Sequence, residues 1–183
     1  LALKYILESQ GWSDDSISDL DTSANGIVSR LTNPSGGQDQ RYGLVVGHVQ
    51  SGKTTNFTSV IAKAADAGYR LFIILSGMSN ALREQTQARL QAQLVDPNSD
   101  AWYRLTEPDT VTDANIVFTG DFSGDANANA VLGPHAEALR ALAVVKKNGH
   151  RLRALRDWVA SAAGTVMAGC PVLIIDDEAD QAS

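Results

Sequence analysis

The residues from Gly47 to Thr54 have the types and the spacing of a phosphate-binding loop. They read G-H-V-Q-S-G-K-T, which matches the pattern G-x-x-x-x-G-K-T. Gly47 and Gly52 allow positive φ angles, so that backbone N–H groups can point into one concavity. Lys53 can reach β- and γ-phosphate oxygens, and the Thr54 hydroxyl can ligate Mg²⁺. The residues expected to contact the nucleotide are Gly47, His48, Val49, Gln50, Ser51, Gly52, Lys53, Thr54 and Thr55. The plainer alternative is a glycine-rich turn with a solvated Lys53.

The flanking residues predict the strand and the helix that such a loop requires. Leu44 to Val46 are apolar and predict a short buried strand before the loop. After the loop, an apolar stripe at helical spacing predicts a helix that Gly68 ends. The stripe consists of Phe57, Val60, Ile61 and Ala64. The positive end of this helix dipole would face bound phosphates.

A second element of chemical interest lies near the other end of the chain. Val172 to Ile175 are apolar and predict a buried strand, and carboxylates follow it at once. In a parallel α/β sheet, ligands bind at the carboxyl ends of the strands. We therefore expect the acidic residues and the phosphate loop to meet there, with one Asp holding Mg²⁺ and a Glu polarising the attacking water. Taken alone, the same residues are typical of a solvated turn.

Residues 177 to 180 spell D-E-A-D, which resembles motif II of superfamily 2 helicases. The loop G-H-V-Q-S-G-K-T-T and the ending I-D-D-E-A-D-Q-A-S are more narrowly similar to the Z1 domain, a helicase-like ATPase domain of large bacterial proteins linked to DNA restriction or defence. The resemblance runs from about Arg41 to Ser183 and includes L-S-G-M-S-N-A-L-R-E-Q-T and V-V-K-K-N. It implies a RecA-like motor domain that hydrolyses ATP with Mg²⁺ and is coupled to DNA.

The residue before D-E-A-D, Asp176, departs from the usual apolar residue and leaves two assignments. Matching D-E-A-D directly gives Asp177 to the metal and Glu178 to water activation, and we prefer this assignment. Counting from the last apolar residue would give Asp176 to the metal and Asp177 to the water. In the preferred assignment, Asp176 points to the other side of the strand and needs a partner there or water.

The elements together predict an α/β fold: a RecA-like parallel sheet of about five strands with helices on both faces. The strands are expected at 44–46, 70–75, 115–119, 143–146 and 172–175. Residues 1–40 are expected to form a helical preface, and 41–183 the ATPase domain. We predict loops at 95–114 and 121–130, the latter a mobile surface loop, and a short helix from Pro134 through Leu142.

Composition narrows the class of protein. The chain has 183 residues, a net charge of −6 and a single cysteine, Cys170, which fit one soluble domain in the reducing cytoplasm. We expect no membrane span, because no long apolar run occurs, and no signal peptide. The chain starts at Leu1 and stops shortly after D-E-A-D, so we expect a part of a larger protein whose second RecA-like domain supplies an arginine finger.

Several residues are candidates for nucleic-acid or base contacts. Ser79 or Asn80 should cap a helix at the position of helicase motif Ia, where backbone N–H groups can bind nucleic-acid phosphates. The basic residues concentrate at Arg140, Lys146, Lys147, Arg151, Arg153 and Arg156. Lys146 and Lys147 follow a strand and could contact phosphates. For the three arginines, ordinary solvated helix charges are the alternative. Residues just before the loop, Gln38, Gln40, Arg41 and Tyr42, could contact adenine or simply form a polar loop.

Two other classes of function stay open. The first is a nucleotide-dependent switch that hardly hydrolyses ATP. The second is a metal-dependent endonuclease, which would cleave DNA without ATP; the sequence has no separate nuclease motif to support it. Without the arginine finger we expect ATP binding and slow turnover, since that group contributes about 10³ or more to the rate in related sites.

Overall fold

A computed structural model describes residues 2–37, 39–46, 53–111, 117–177 and 179. Its residue contacts group into two compact units, which divide in the chain between Tyr69 and Arg70. The first unit is helical, and the second contains the sheet. Each unit is described by itself.

The described residues of the first unit form three helices, α1 (Ala2–Ser9), α2 (Asp14–Val28) and α3 (Lys53–Asp66). Ser13 caps α2 by accepting a hydrogen bond from the Ser16 amide, and two aspartates in the first turn favour the positive end of the helix dipole. Helix α3 packs against α2. Their contact includes an ion pair of 2.7 Å between Lys63 Nζ and Asp21 Oδ1. The helices predicted before and after the loop are thus present.

The predicted strand at 44–46 is wrong for the described part of the chain. Residues 41–46 have no regular secondary structure, and Leu44, Val45 and Val46 are 82%, 63% and 85% exposed. An apolar run becomes a strand only when a neighbouring strand pairs with it, and no described residue pairs with this one. The five-strand prediction therefore loses its first strand.

The second unit is built on a parallel sheet of four strands. The strands are β1 (Leu71–Ser76), β2 (Trp102–Arg104), β5 (Arg140–Lys146) and β6 (Val172–Asp176). Their order across the sheet is β2-β5-β1-β6. Each neighbouring pair is parallel. The α/β class and the parallel sheet are thus confirmed. The RecA-like strand order stays a prediction.

Helices cover this sheet because every parallel connection must cross over it. The connecting helices are α4 (Asn80–Leu90), α5 (Ala128–Leu132), α6 (Gly149–Ser161) and α7 (Gly164–Ala168). Alternate residues of β1 and β5, such as Ile73 and Ala143, form a buried core with Leu155 and Trp158 of α6. Leu155 and Trp158 therefore belong to the face of α6 that packs on the sheet.

The structure corrects the predictions for residues 91–146. Helix α4 continues through a π turn (Gln91–Val95) and a 3₁₀ turn (Asp96–Ala101), and the edge strand β2 follows where a loop was predicted. Strands β3 (Thr110–Val111) and β4 (Val117–Phe118) form a separate antiparallel pair, so the strand predicted at 115–119 does not join the parallel sheet. Residues 112–116 lie outside the described residues.

The two remaining corrections concern the residues between β4 and β5. The segment 121–130 is not an exposed loop: Phe122 is buried edge-on against Trp158, with ring centroids 5.7 Å apart, and its last residues belong to α5. The helix predicted from Pro134 ends after one 3₁₀ turn at Ala136, and β5 already begins at Arg140. Pairing with β1 and β2 extends β5 beyond its most apolar residues.

Candidate functional site

The phosphate-loop prediction rests mostly on residues outside the described part of the chain. Residues 47–52, which include Gly47, His48, Val49, Gln50, Ser51 and Gly52, belong to that group. Helix α3 begins at Lys53, where the pattern requires a helix to begin. Nothing is described of the Lys53 and Thr54 side chains. Thr55 is buried in the first turn, and its carbonyl accepts a hydrogen bond of 3.1 Å from Ser59 Oγ.

The acidic residues follow β6 at the carboxyl end of the sheet, as predicted. The strand ends at Asp176, and Asp177 continues the ladder by donating its amide to the Leu75 carbonyl at 2.9 Å. Asp177 itself stands in the turn that follows the strand. Glu178 lies outside the described residues.

Asp176 has the partner that the sequence called for. Its Oδ1 lies 2.6 Å from Lys147 Nζ, and the Lys147 side chain is only 7% exposed, whereas that of Asp176 is 40% exposed. Lys147 follows β5, and its amide donates to the Ser76 carbonyl at 3.2 Å. This ion pair joins the ends of two strands that are not neighbours, because β1 lies between β5 and β6.

Lys146 lies on the other face and contacts the start of α4. Its Nζ is 2.5 Å from Asn80 Oδ1. Ser79 caps α4 by accepting the Leu82 amide at 3.2 Å, so the predicted N-cap is confirmed. The structure thus brings together three of the four nucleic-acid candidates, Ser79, Asn80 and Lys146, at the carboxyl end of β1 and β5.

A buried aspartate that the sequence analysis placed in a surface loop supports this edge of the sheet. Asp121 is 5% exposed, and its Oδ1 accepts the amides of Phe122 at 2.8 Å and Lys146 at 3.3 Å. Arg151 Nε lies 3.7 Å from Asp121 Oδ2, and Arg151 Nη1 donates to the Phe122 carbonyl at 2.7 Å. The buried aromatic Phe122 directly after Asp121 was the available signal that this segment packs inward.

The remaining basic residues are divided between paired and exposed positions. Arg151 is held by Asp121, and Arg156 forms an exposed ion pair with Asp157 at 2.7 Å. Arg153 and His150 are exposed on α6. Arg140 donates to the Ala138 carbonyl at 2.9 Å.

The adenine candidates lie in the other unit. Arg41 pairs with Asp39 at 3.3 Å, and Gln40 Nε2 contacts the Tyr42 hydroxyl at 2.6 Å. All of these side chains are exposed. Gln38 is outside the described residues.

Among residues 2–37, 39–46, 53–111, 117–177 and 179, no group of three His, Cys, Asp or Glu residues could hold a metal. Mg²⁺ in phosphate-transfer sites needs only one or two protein carboxylates, because substrate phosphates and water complete its octahedron. Asp177, which directly follows β6, is the described residue that the sequence analysis assigned to the metal.

The comparisons with known proteins add no relative. No protein-family model, curated protein or solved structure matches this chain. None of the helices in the described part of the chain is long and apolar enough to cross a membrane.

Proposed function

We propose that this chain binds Mg²⁺-ATP and hydrolyses it as the first motor domain of a helicase-like ATPase in the cytoplasm. The observation that carries the proposal is the acidic turn at the carboxyl end of β6 in a parallel sheet. That edge is where open α/β sheets bind ligands. The phosphate-binding pattern G-x-x-x-x-G-K-T also supports the proposal. It lies directly before α3 and includes the first two residues of that helix.

In this proposal each residue has a separate task. Lys53 binds the β- and γ-phosphates, and Thr54 and Asp177 hold Mg²⁺, which neutralises charge on the phosphates. Glu178 orients the attacking water and accepts its proton. Asp176 is left to Lys147, because its carboxylate already lies 2.6 Å from the ammonium of this lysine, whose side chain is only 7% exposed.

DNA is the proposed coupled partner. The start of α4 supports this part, since its capped first turn presents backbone N–H groups that can bind a phosphate. Lys146 is the neighbouring charge, and its ammonium could move from Asn80 to a phosphate oxygen. Lys147 is the weaker candidate, because its ammonium is already held by Asp176.

Calorimetric titration of the chain with Mg²⁺-ATP tests the proposal. We expect the unmodified chain and Glu178→Gln to bind and Lys53→Ala to lose binding, because Glu178 acts on water while Lys53 holds phosphates. Lys63→Ala on the same helix is the matched control, since its charge pairs with Asp21. No binding by the unmodified chain, or equal binding by Lys53→Ala, would overturn the nucleotide site.

A further inference from the structure

We propose that Asp121 is a positioning residue, which holds the end of β5 so that the ammonium group of Lys146 stays beside the start of α4. This inference rests on the proposed function, because Lys146 is the charge next to the proposed DNA-phosphate site on that helix. It gives a task to a buried carboxylate that the proposed ATPase chemistry leaves unused. The contacts that support it all join described residues of the second unit.

The last residues of β5 extend beyond the neighbouring strand β2, which pairs with β5 only as far as Leu142. The amides of Val144 and Lys146 point to the side of β2, since alternate residues of a strand direct their amides to the same neighbour. Two side chains accept these amides in place of a strand. Thr106 Oγ1 accepts the Val144 amide at 2.8 Å, and Asp121 Oδ1 accepts the Lys146 amide at 3.3 Å. Asp121 therefore holds the main chain at the last residue of β5.

The Asp121 carboxylate is itself fixed by its surroundings. Its residue is only 5% exposed, and Oδ1 also accepts the Phe122 amide at 2.8 Å. Arg151 of α6 places Nε 3.7 Å from Oδ2, and its Nη1 donates to the Phe122 carbonyl at 2.7 Å. A buried carboxylate needs such a cation, because a buried charge without a partner is strongly destabilising. Asp121 is thus a firmly held acceptor for the Lys146 amide.

The segment that carries Asp121 is also attached to α4. Gly120 donates its amide to Asp109 Oδ1 at 2.9 Å, and Asp109 forms an ion pair with a buried arginine of α4. On the other side, Lys146 Nζ lies 2.5 Å from Oδ1 of Asn80, the first residue of α4. The same short segment therefore contacts both the helix and the strand end that carries the lysine. This arrangement fixes the main chain of Lys146 relative to the start of α4.

Two simpler roles of Asp121 predict other effects on DNA binding. A carboxylate near a phosphate repels it, so a role of charge alone predicts that removing Asp121 tightens DNA binding. A purely structural role predicts lower stability with unchanged DNA binding. Positioning predicts weaker DNA binding when the hydrogen-bond acceptor is removed, and no weakening when only the charge is removed.

The test measures the binding of a fluorescein-labelled single-stranded DNA oligonucleotide by anisotropy at several salt concentrations. Asp121→Leu removes the charge and the acceptor but keeps much of the bulk of the side chain. We expect it to weaken DNA binding and to reduce the salt slope by about 0.7, the value for one lost phosphate contact on a single strand. Asp121→Asn keeps an oxygen for the two amides and should bind DNA at least as tightly as the unmodified chain.

Thr106→Val is the matched control. It removes the acceptor of the Val144 amide and leaves the Lys146 amide with Asp121, so it should lower the thermal unfolding midpoint without changing the salt slope. Lys146→Ala completes a double-mutant cycle. If Asp121 acts through Lys146, Asp121→Leu should have no further effect on DNA binding in the Lys146→Ala chain. All titrations are made below the unfolding midpoints, and Asp121→Ala replaces Asp121→Leu if the larger side chain prevents folding.

DNA binding by Asp121→Leu that equals or exceeds that of the unmodified chain would overturn the positioning role. An equal loss of binding in Thr106→Val would also overturn it, because it would show a general defect of β5. Additive losses from Asp121→Leu and Lys146→Ala would do the same, since the two residues would then act independently. Equal DNA binding by Lys146→Ala and the unmodified chain would instead refute the proposed phosphate contact of Lys146, and this inference with it.

Discussion

Arg83 of α4 provides the sharpest stability test of the second unit. Its side chain is completely buried, yet it carries a full positive charge. It pairs with Asp109, pairs with Glu84 at 3.0 Å and donates to the Glu107 carbonyl at 3.1 Å. These contacts hold Glu107 and Asp109, which follow β2 in the chain, against α4. We predict that Arg83→Met, which keeps an unbranched apolar stem but removes the guanidinium group, destabilises the chain substantially.

The magnitude follows from what the substitution leaves behind. Removing one partner of a buried ion pair typically costs about 3–5 kcal/mol. Asp109 is only 10% exposed but keeps the Gly120 amide at 2.9 Å, and Glu84, at 31% exposed, regains water. Arg83 Nε is itself buried without a hydrogen bond, and its removal relieves that cost. We therefore expect a loss near the low end, about 3 kcal/mol.

Urea unfolding followed by circular dichroism measures this loss. The matched control is Arg156→Met, which removes an arginine from an ion pair whose side chains are 70% and 64% exposed. Exposed pairs contribute about 0–1 kcal/mol, so the control should unfold nearly with the unmodified chain. A loss below about 1 kcal/mol for Arg83→Met would refute the reasoning, because such a value belongs to surface pairs.

Three further predictions concern other parts of the chain. Burial raises the pKa of the Cys170 thiol, although the Arg70 charge opposes it; a thiol reagent at about pH 8 should react slowly with the native chain and fast in denaturant. The hydrogen bond from Lys63 lowers the pKa of Asp21; its stabilisation is present above the unfolded pKa of about 3.9 and is lost as the pH falls through the folded value. Unfolding curves of Asp21→Asn and the unmodified chain should therefore differ at pH ~7 and converge in acid. A Cβ at Gly120 would collide with the Glu107 carbonyl, whereas one at Gly164 meets open space, so Gly120→Ala should lower the unfolding midpoint and Gly164→Ala should not.

The sequence predicted those elements whose signal is local. Strands β1 and β6 are apolar runs of strand length, and α4 begins with a capping serine. The patterns that mark these elements lie in consecutive residues, so they can be recognised without knowing the fold.

The errors occurred where long-range contacts decide the structure. Leu44 to Val46 have the apolar run of a strand but no partner among the described residues, and they are exposed. Trp102 to Arg104 stand in a polar segment that contains Pro97 and Pro108, yet they pair with β5. Asp121 is polar and stands in a segment rich in Asp, Asn and Gly, yet it is buried because Arg151 and backbone amides supply its partners.

The two consecutive lysines at the end of β5 show why a basic run cannot be assigned from the sequence. Strand alternation sends Lys146 and Lys147 to opposite faces, where each finds an acceptor within the same unit. A phosphate must compete with a neutral amide oxygen for Lys146 but with a carboxylate for Lys147. Because the Asp176 carboxylate carries a negative charge and the Asn80 amide oxygen does not, a nucleic-acid phosphate should recruit Lys146 more readily. Lys146→Ala should therefore weaken DNA binding and reduce its salt dependence, whereas Lys147→Met should change both less; equal effects of the two variants on DNA binding would contradict this division of roles.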